Sequence, residues 1–260
     1  MGRGVERLRR DWNELAEEDA LSAVLAQLGG QARPWQLDEF LATGEEEIAG
    51  MLATAERLRL PARRRRALDF GCGVGRLTRA LSLRFERCVG VDVSDEMVRR
   101  AEELNRDRPG CVFVANVAPD LRRFRDGEFD FVYSSKVLQH MTSASLACRY
   151  VAEFVRLLER DGLAVFQLWT RIPWRNRLQP RRRFYGVLRT LGAPQALLAR
   201  LGLSPKGRGI FVSEETIRGV VDAAGGRVVH TEADGEWGLV YYVARAERAT
   251  PTRSSPGASS

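Results

Sequence analysis

The segment ALDFGCGVGRLTRAL at residues 67–81 restricts the fold of this chain more than any other part of it. An apolar stretch runs into three alternating glycines, Gly71, Gly73 and Gly75, and then into a helix-forming sequence. Because glycine has no Cβ, such a backbone can turn tightly and let a ligand approach its amides. The unpaired N–H groups at the start of the next helix point toward the same place. The pattern predicts a strand, a glycine loop and a helix at the ligand-binding edge of an open α/β sheet.

A second stretch, VGVDVS at 89–94, indicates which ligand this edge accepts. It predicts a strand that ends on Asp92, where a carboxylate can accept both hydroxyls of a ribose. A dinucleotide fingerprint would need its third glycine at position 76, which is Arg76. Asp69, just before the loop, suits a ligand with a positive end better than a pyrophosphate. These features favour a sulfonium nucleoside such as S-adenosylmethionine over NAD.

The rest of the chain alternates between strand and helix patterns. We predict strands over 66–70, 87–92, 111–115, 129–134, 162–169, 227–233 and 237–245, and helices over 75–85, 95–106, 143–159 and 213–225. This alternation builds a parallel sheet with helices on both faces, and the short gap before the last strand suits a hairpin. Helices over 5–29 and 44–58 predict an N-terminal helical cap (1–60) ahead of the main domain (61–246). The Ser/Pro-rich tail, 247–260, is predicted to be disordered.

The D-x-G-C-G-x-G loop at 69–75, Asp92 and the segment FDFVYSSKVLQHM at 129–141 together resemble the class I S-adenosylmethionine-dependent methyltransferases. The likeness is to the small-molecule type, which has a V-L-x-H turn after the fourth strand, and it covers residues 35–245. It implies an α/β, Rossmann-like, seven-stranded, mostly parallel sheet with an antiparallel last strand. It also implies S-adenosyl-L-methionine as cofactor and methyl transfer to a small-molecule acceptor, with O-methylation favoured.

The same resemblance assigns roles to individual residues. The donor's ammonium and carboxylate would lie over the loop and its ribose on Asp92. Met97 would pack on the adenine, unless it is only a core residue, and Asn116 would accept a hydrogen bond from the adenine amino group. The predicted cofactor-binding set is Asp69, Gly71, Cys72, Gly73, Gly75, Asp92, Val93, Met97, Asn116, Val117 and Ser134.

The acceptor side of the site is less specific in the sequence. Enzymes that methylate exocyclic amines of nucleic-acid bases place an Asp/Asn-Pro-Pro-aromatic tetrad after the fourth strand, whereas this chain has SerSerLysVal at 134–137. His140, in the turn that follows, can remove the proton of a hydroxyl acceptor whose oxygen attacks the sulfonium methyl in line as S-adenosylhomocysteine leaves, or can simply order the loop. Trp169, Arg171 and Trp174 leave the fifth strand over the site and are candidates for a lid or an acceptor wall, and Trp12 and Trp35 of the cap are further candidates.

Basic charge is concentrated in one insertion, residues 170–212, which we predict to be a lid over the acceptor site. Residues 171–208 contain nine arginines, one lysine and no Asp or Glu, whereas the whole chain has a net charge of +7. Phe184, Val187, Leu188 and Leu191 form an apolar stripe at helical spacing. Such a helix can lie on an anionic membrane surface or hold an anionic substrate, or its stripe can pack on the sheet domain. We predict that the insertion favours an acceptor that is anionic, lipid-like or both.

Two other functions fit parts of this pattern. The arginines would suit an RNA methyltransferase, although the modest overall charge and the lack of an RNA-binding module argue against nucleic acid. A non-catalytic S-adenosylmethionine-binding protein would keep the same loop. No apolar run approaches ~18 residues, and the N-terminus lacks an apolar signal core, so we expect a cytoplasmic protein. The four cysteines show no metal-binding or disulfide spacing, so no metal is expected.

Overall fold

A computed structural model describes residues 2–25, 35–170, 180–194, 197–198, 201, 203 and 209–245. Its strands are β1 (Arg66–Phe70), β2 (Arg87–Asp92), β3 (Cys111–Ala115), β4 (Phe129–Ser134), β5 (Leu158–Trp169), β6 (Gly226–Asp234) and β7 (Gly238–Arg245). Its helices are α1 (Gly2–Val24), α2 (Leu37–Arg57), α3 (Arg76–Leu81), α4 (Asp95–Leu104), α5 (Ala144–Leu157), α6 (Pro180–Thr190) and α7 (Glu214–Ala223), with a 3₁₀ turn at Leu138–His140.

The strands form a single sheet in the order β3-β2-β1-β4-β5-β7-β6. β7 is antiparallel to both of its neighbours, and the pairs among β1 to β5 are parallel. The predicted fold class is therefore confirmed, including the closing hairpin. The carboxyl ends of β1, β2 and β4 meet at one edge, and the strand order reverses between β1 and β4. This reversal opens the crevice in which ligands of open α/β sheets bind.

Side-chain alternation along the strands divides the core between the two faces of the sheet. On one face, Leu68 of β1 lies in a cluster with α5 residues such as Phe154. On the other face, Ala67 lies in a cluster with Ile48 and Leu52 of α2. The helical spacing read from the sequence of α2 thus corresponds to a buried face.

Four elements begin earlier than predicted, and α2 and β5 do so by the most residues. α2 starts at Leu37 rather than residue 44, with Asp38 and Glu39 in its first turn, where carboxylates favour a helix N-terminus. Gly44 lies inside the helix. Glycine is required at this position because a Cβ would come within 2.8 Å of Arg76 Cγ. β5 starts at Leu158 rather than 162. The strand passes through Asp161 at φ +61°, and its pairing with β4 shifts register nearby.

α1 and α6 lie outside the sheet and contact each other. α1 is interrupted at Asp19, whose extended backbone leaves its carboxylate to accept the Ser22 N–H at 3.1 Å. Arg189 of α6 forms a salt bridge with Glu14 of α1 at 2.6 Å. The end of the predicted first helix, residues 26–29, and the tail 247–260 lie outside the described residues. Within the described part of the chain, no helix has the length and hydropathy of a membrane span.

Candidate functional site

The glycine loop forms a tight cradle at the end of β1. Gly71 and Gly73 have φ values of +78° and +54°, a conformation that side-chain-bearing residues rarely adopt. The N–H groups of Gly71 and Cys72 both donate to the Val91 carbonyl, at 2.7 and 3.1 Å, and so tie the loop to β2. Space also requires glycine here. A Cβ on Gly71 would lie 2.2 Å from Val137 Cγ2, and one on Gly73 would lie 2.6 Å from Val24 Cγ2.

Asp92 connects this loop to the next helix. Its Oδ2 accepts the Gly73 N–H and its Oδ1 accepts the Ser94 N–H, both at 2.9 Å. Burial raises the pKa of Asp92, while these backbone donors act in the opposite direction. A carboxylate oxygen can accept more than one hydrogen bond. Asp92 therefore keeps capacity to accept a hydrogen bond from a ligand hydroxyl.

A cavity of about 300 Å³ lies between this cradle and α1, at the low end of the range for small-molecule sites. Most of the predicted site residues that the structure describes line it. They are Gly71, Cys72, Gly73, Asp92, Val93, Met97, Asn116, His140 and Trp169. The carboxyl-end edge of the sheet thus gathers these residues around one space, as the sequence pattern indicates.

Four predicted residues lie near this cavity without lining it. Asp69 is buried behind the loop, where its Oδ2 accepts the Thr78 hydroxyl at 2.6 Å and burial raises its pKa to about 7. Ser134 donates to the Phe70 carbonyl at 3.1 Å and so braces the ends of β4 and β1. Gly75 precedes α3, and Val117 is exposed beside Asn116. Arg171 and Trp174 lie outside the described residues.

Asn116 presents one chemical group to the cavity. Its amide nitrogen donates to the carbonyls of Ala118 at 3.2 Å and Asp120 at 3.1 Å. Both amide hydrogens are therefore used by the loop that follows β3, and the side-chain carbonyl oxygen is left to accept from a ligand.

Aromatic side chains form the opposite wall of the cavity. The His140 ring lies 5.8 Å from the Trp12 ring, centroid to centroid, in an edge-on arrangement. Trp169 packs against Phe211 and Trp237, with ring centroids 5.4 and 6.0 Å apart. Trp35 instead contacts Phe40, at 6.1 Å, and does not line the cavity.

A buried ion pair beside the cavity is a feature that sequence reasoning missed. Arg76 Nη2 lies 2.7 Å from Glu47 Oε2, and Tyr133 donates to Glu47 Oε1 at 3.0 Å. Burial by itself would raise the pKa of Glu47. The charge of Arg76 and a hydrogen bond with Ser135 outweigh burial and hold this pKa below its usual value. In the sequence, Arg76 marks only the departure from a dinucleotide fingerprint. No local signal joins it to a residue on another helix.

The N-terminal helix contributes cavity residues that the sequence also did not indicate. The cavity is lined by Val5, Leu8, Trp12 and Val24 of α1 and by Leu25, directly after the helix. Their helical periodicity predicts a buried face, but it does not say which surface that face covers.

The fold is that of a Rossmann-like α/β domain with a cavity at the edge where the strand order reverses. Comparison with known proteins makes the class specific, because residues 68–166 match the family described as "Methyltransferase domain". This match covers less than half of the chain, and it agrees with the class I S-adenosylmethionine-dependent methyltransferases that the resemblance named.

Relatives of known name match part of the chain. A ubiquinone biosynthesis O-methyltransferase of Methylococcus capsulatus is 32% identical over 108 residues, which is 41% of this chain and 44% of that protein. The uncharacterized methyltransferase YcgJ of Bacillus subtilis is 31% identical over 127 residues, 48% of this chain and 47% of that protein. The matched regions thus span somewhat less than half the length of these relatives.

A solved structure matches more of the chain at lower identity. The magnesium protoporphyrin IX methyltransferase of Synechocystis PCC 6803, crystallised with SAH, aligns with a TM-score of 0.60 and 18% identity. The alignment covers 93% of this chain and 99% of that one. At this identity, the likeness supports the fold.

Proposed function

We propose that this protein transfers a methyl group from S-adenosylmethionine to a small-molecule acceptor. The observation that carries the proposal is the junction of the glycine cradle with Asp92 in one cavity that also contains His140. The residues fit the donor, since the cradle has room for no Cβ and the adjacent carboxylate retains acceptor capacity. The bound donor would supply a methyl group already activated on a positively charged sulfur.

The chain's own residues can hold each part of such a donor. The backbone of Gly71 to Gly73 would lie against its amino-acid end, and Asp92 would accept the ribose hydroxyls. The apolar side chains of Val93 and Met97 would flank the adenine, and the Asn116 carbonyl oxygen would accept from its amino group. Asp69 stays in the proposed set as a buried carboxyl group behind the loop, and Gly75, Val117 and Ser134 as residues that shape its surroundings.

The acceptor would occupy the part of the cavity bounded by Leu8, Trp12, Met141 and Trp169, which is apolar. Lys136 also lines the cavity and supplies a positive charge there. We therefore propose an acceptor with an apolar body and an anionic group.

His140 is the proposed base for a hydroxyl acceptor. Transfer to oxygen is supported by the position of this imidazole on the cavity wall, and it agrees with the name of the Methylococcus relative. The imidazole would take the hydroxyl proton while the walls align the acceptor and exclude water.

Labelled methyl transfer tests this function. The purified protein is incubated with methyl-labelled S-adenosylmethionine and a fractionated extract of small metabolites. We expect label in an organic-extractable anionic product, loss of transfer in Asp92→Ala, and a rate about 100-fold lower in His140→Asn. A protein that binds S-adenosylhomocysteine but transfers no label to any fraction would contradict catalysis. Unchanged transfer by His140→Asn would remove the proposed base.

A further inference from the structure

The outward face of α6 carries an apolar surface that the proposed reaction does not use. Phe184 and Val187 are 58% and 57% exposed, and Leu191, directly after the helix, is 77% exposed. At 3.6 residues per turn these three positions fall within an arc of about 60°. The stripe predicted from the sequence therefore exists, but three of its four members face solvent. The interpretation that it packs on the sheet domain is wrong for these three.

The helix is held in this orientation from its other side. Tyr185 is buried in a cluster with Leu198 and Leu203, and Leu188 packs against the same cluster. Arg189 is largely buried and forms salt bridges with Glu14 at 2.6 Å and Asp11 at 3.4 Å. Turning the apolar stripe inward would break these contacts, so its exposure is a fixed feature of the fold.

The segment of sequence that contains α6 is strongly basic. Residues 171–208 contain ten basic residues and no acidic one, and α6 begins with Arg181, Arg182 and Arg183. Arg7 of α1 lines a shallow groove together with Val187 and Leu191. An amphipathic helix with a basic flank and an apolar face binds at the headgroup boundary of an anionic bilayer.

We propose that α6 docks this protein on an anionic lipid surface, with Phe184, Val187 and Leu191 inserted among the lipids and the arginines on their headgroups. Charge complementarity selects this occupant, because exposed apolar groups in a segment rich in arginine and without acidic residues match apolar chains beneath anionic headgroups. The inference is independent of the methyl-transfer reaction, since the docking face lies outside the cavity.

Vesicle co-sedimentation of the full chain tests the proposal. The vesicles are phosphatidylcholine alone, or phosphatidylcholine with about one third phosphatidylglycerol. We expect binding to the mixed vesicles, much weaker binding to phosphatidylcholine alone, and release as salt is raised. The double variant V187E/L191E should bind mixed vesicles about tenfold or more weakly. Neutralising Arg181 to Arg183 with glutamine should weaken binding about fivefold per charge.

Leu83→Glu is the matched control, because Leu83 is also an exposed leucine but lies in the loop after α3. It should bind as the wild type does, and circular dichroism should show that every variant is folded. Absence of binding to the mixed vesicles, equal binding to both compositions, or unchanged binding by V187E/L191E would each overturn the proposal. Concentration-dependent dimers that V187E/L191E abolishes, without vesicle binding, would assign the face to a second copy of this chain instead.

Discussion

The close approach of α1 to the glycine loop leads to a measurable coupling between Gly73 and Val24. The φ of +54° at Gly73 would cost an alanine about 1–2 kcal/mol. Its Cβ would also lie 2.6 Å from Val24 Cγ2, about 1 Å closer than an ordinary carbon contact. Overpacking of this kind costs about 1–3 kcal/mol. Gly73→Ala should therefore lower the free energy of unfolding by about 2–5 kcal/mol.

A double-mutant cycle separates the two contributions. Val24→Ala removes the clash but not the backbone strain, so the double variant should recover about 1–3 kcal/mol relative to additivity. The assay is urea unfolding of the four proteins, with the slope checked for two-state behaviour. Gly75→Ala is the control partner, because its Cβ would meet Asn105 and Phe113 rather than Val24. It should combine additively with Val24→Ala. Additivity of Gly73→Ala with Val24→Ala within about 0.5 kcal/mol would refute the placement of α1 over the loop.

Three further predictions concern buried groups near the cavity. Because burial raises the pKa of Asp69 to about 7, the folded state retains this proton longer than the unfolded chain. The free energy of unfolding should thus fall by up to about 4 kcal/mol as pH rises from about 4 to 7, and Asp69→Asn should flatten that slope in urea titrations across pH. Arg76→Met should lower the free energy of unfolding by about 3–5 kcal/mol, because it leaves the Glu47 carboxylate without its ion-pair partner. Adding Glu47→Gln should restore part of this loss, as measured by thermal unfolding. Asn116→Ala should weaken S-adenosylhomocysteine binding about three- to tenfold by calorimetry, whereas Asn116→Asp, which keeps an acceptor oxygen, should weaken it less. The first prediction is contradicted if the free energy of unfolding does not change with pH, and the second if Arg76→Met is as stable as the wild type. Equal S-adenosylhomocysteine affinity of the two Asn116 variants would contradict the third.

Local patterns predicted the central strands well. The bounds of β1 to β4 are those read from the sequence, because each is a short apolar run that ends on, or is followed by, glycine, aspartate, asparagine or serine at the sheet edge. Asp92 and Asn116 line the cavity because they end or follow neighbouring parallel strands, whose carboxyl ends must meet.

Contacts between distant segments were not predictable in the same way. Nothing in the sequence near Val24 shows that it covers Gly73, and nothing near Glu47 shows that it pairs with Arg76. A glycine at position 44 was read as a helix boundary, whereas close packing of two helices requires it inside α2. Periodicity likewise identified the α6 stripe but not the direction in which it faces.

The proposed methyl transfer requires that the glycine cradle and the Asp92 carboxylate together hold a sulfonium nucleoside. Calorimetric titration of S-adenosylhomocysteine into the wild type, Asp92→Ala and the control Asp222→Ala tests it most directly, because Asp222 is an exposed carboxylate on α7, away from the cavity. We expect saturable binding to the wild type, the same affinity for Asp222→Ala, and an affinity about 100-fold lower for Asp92→Ala through loss of two charged hydrogen bonds. Equal affinity of wild type and Asp92→Ala, or no binding to the wild type, would contradict the claim.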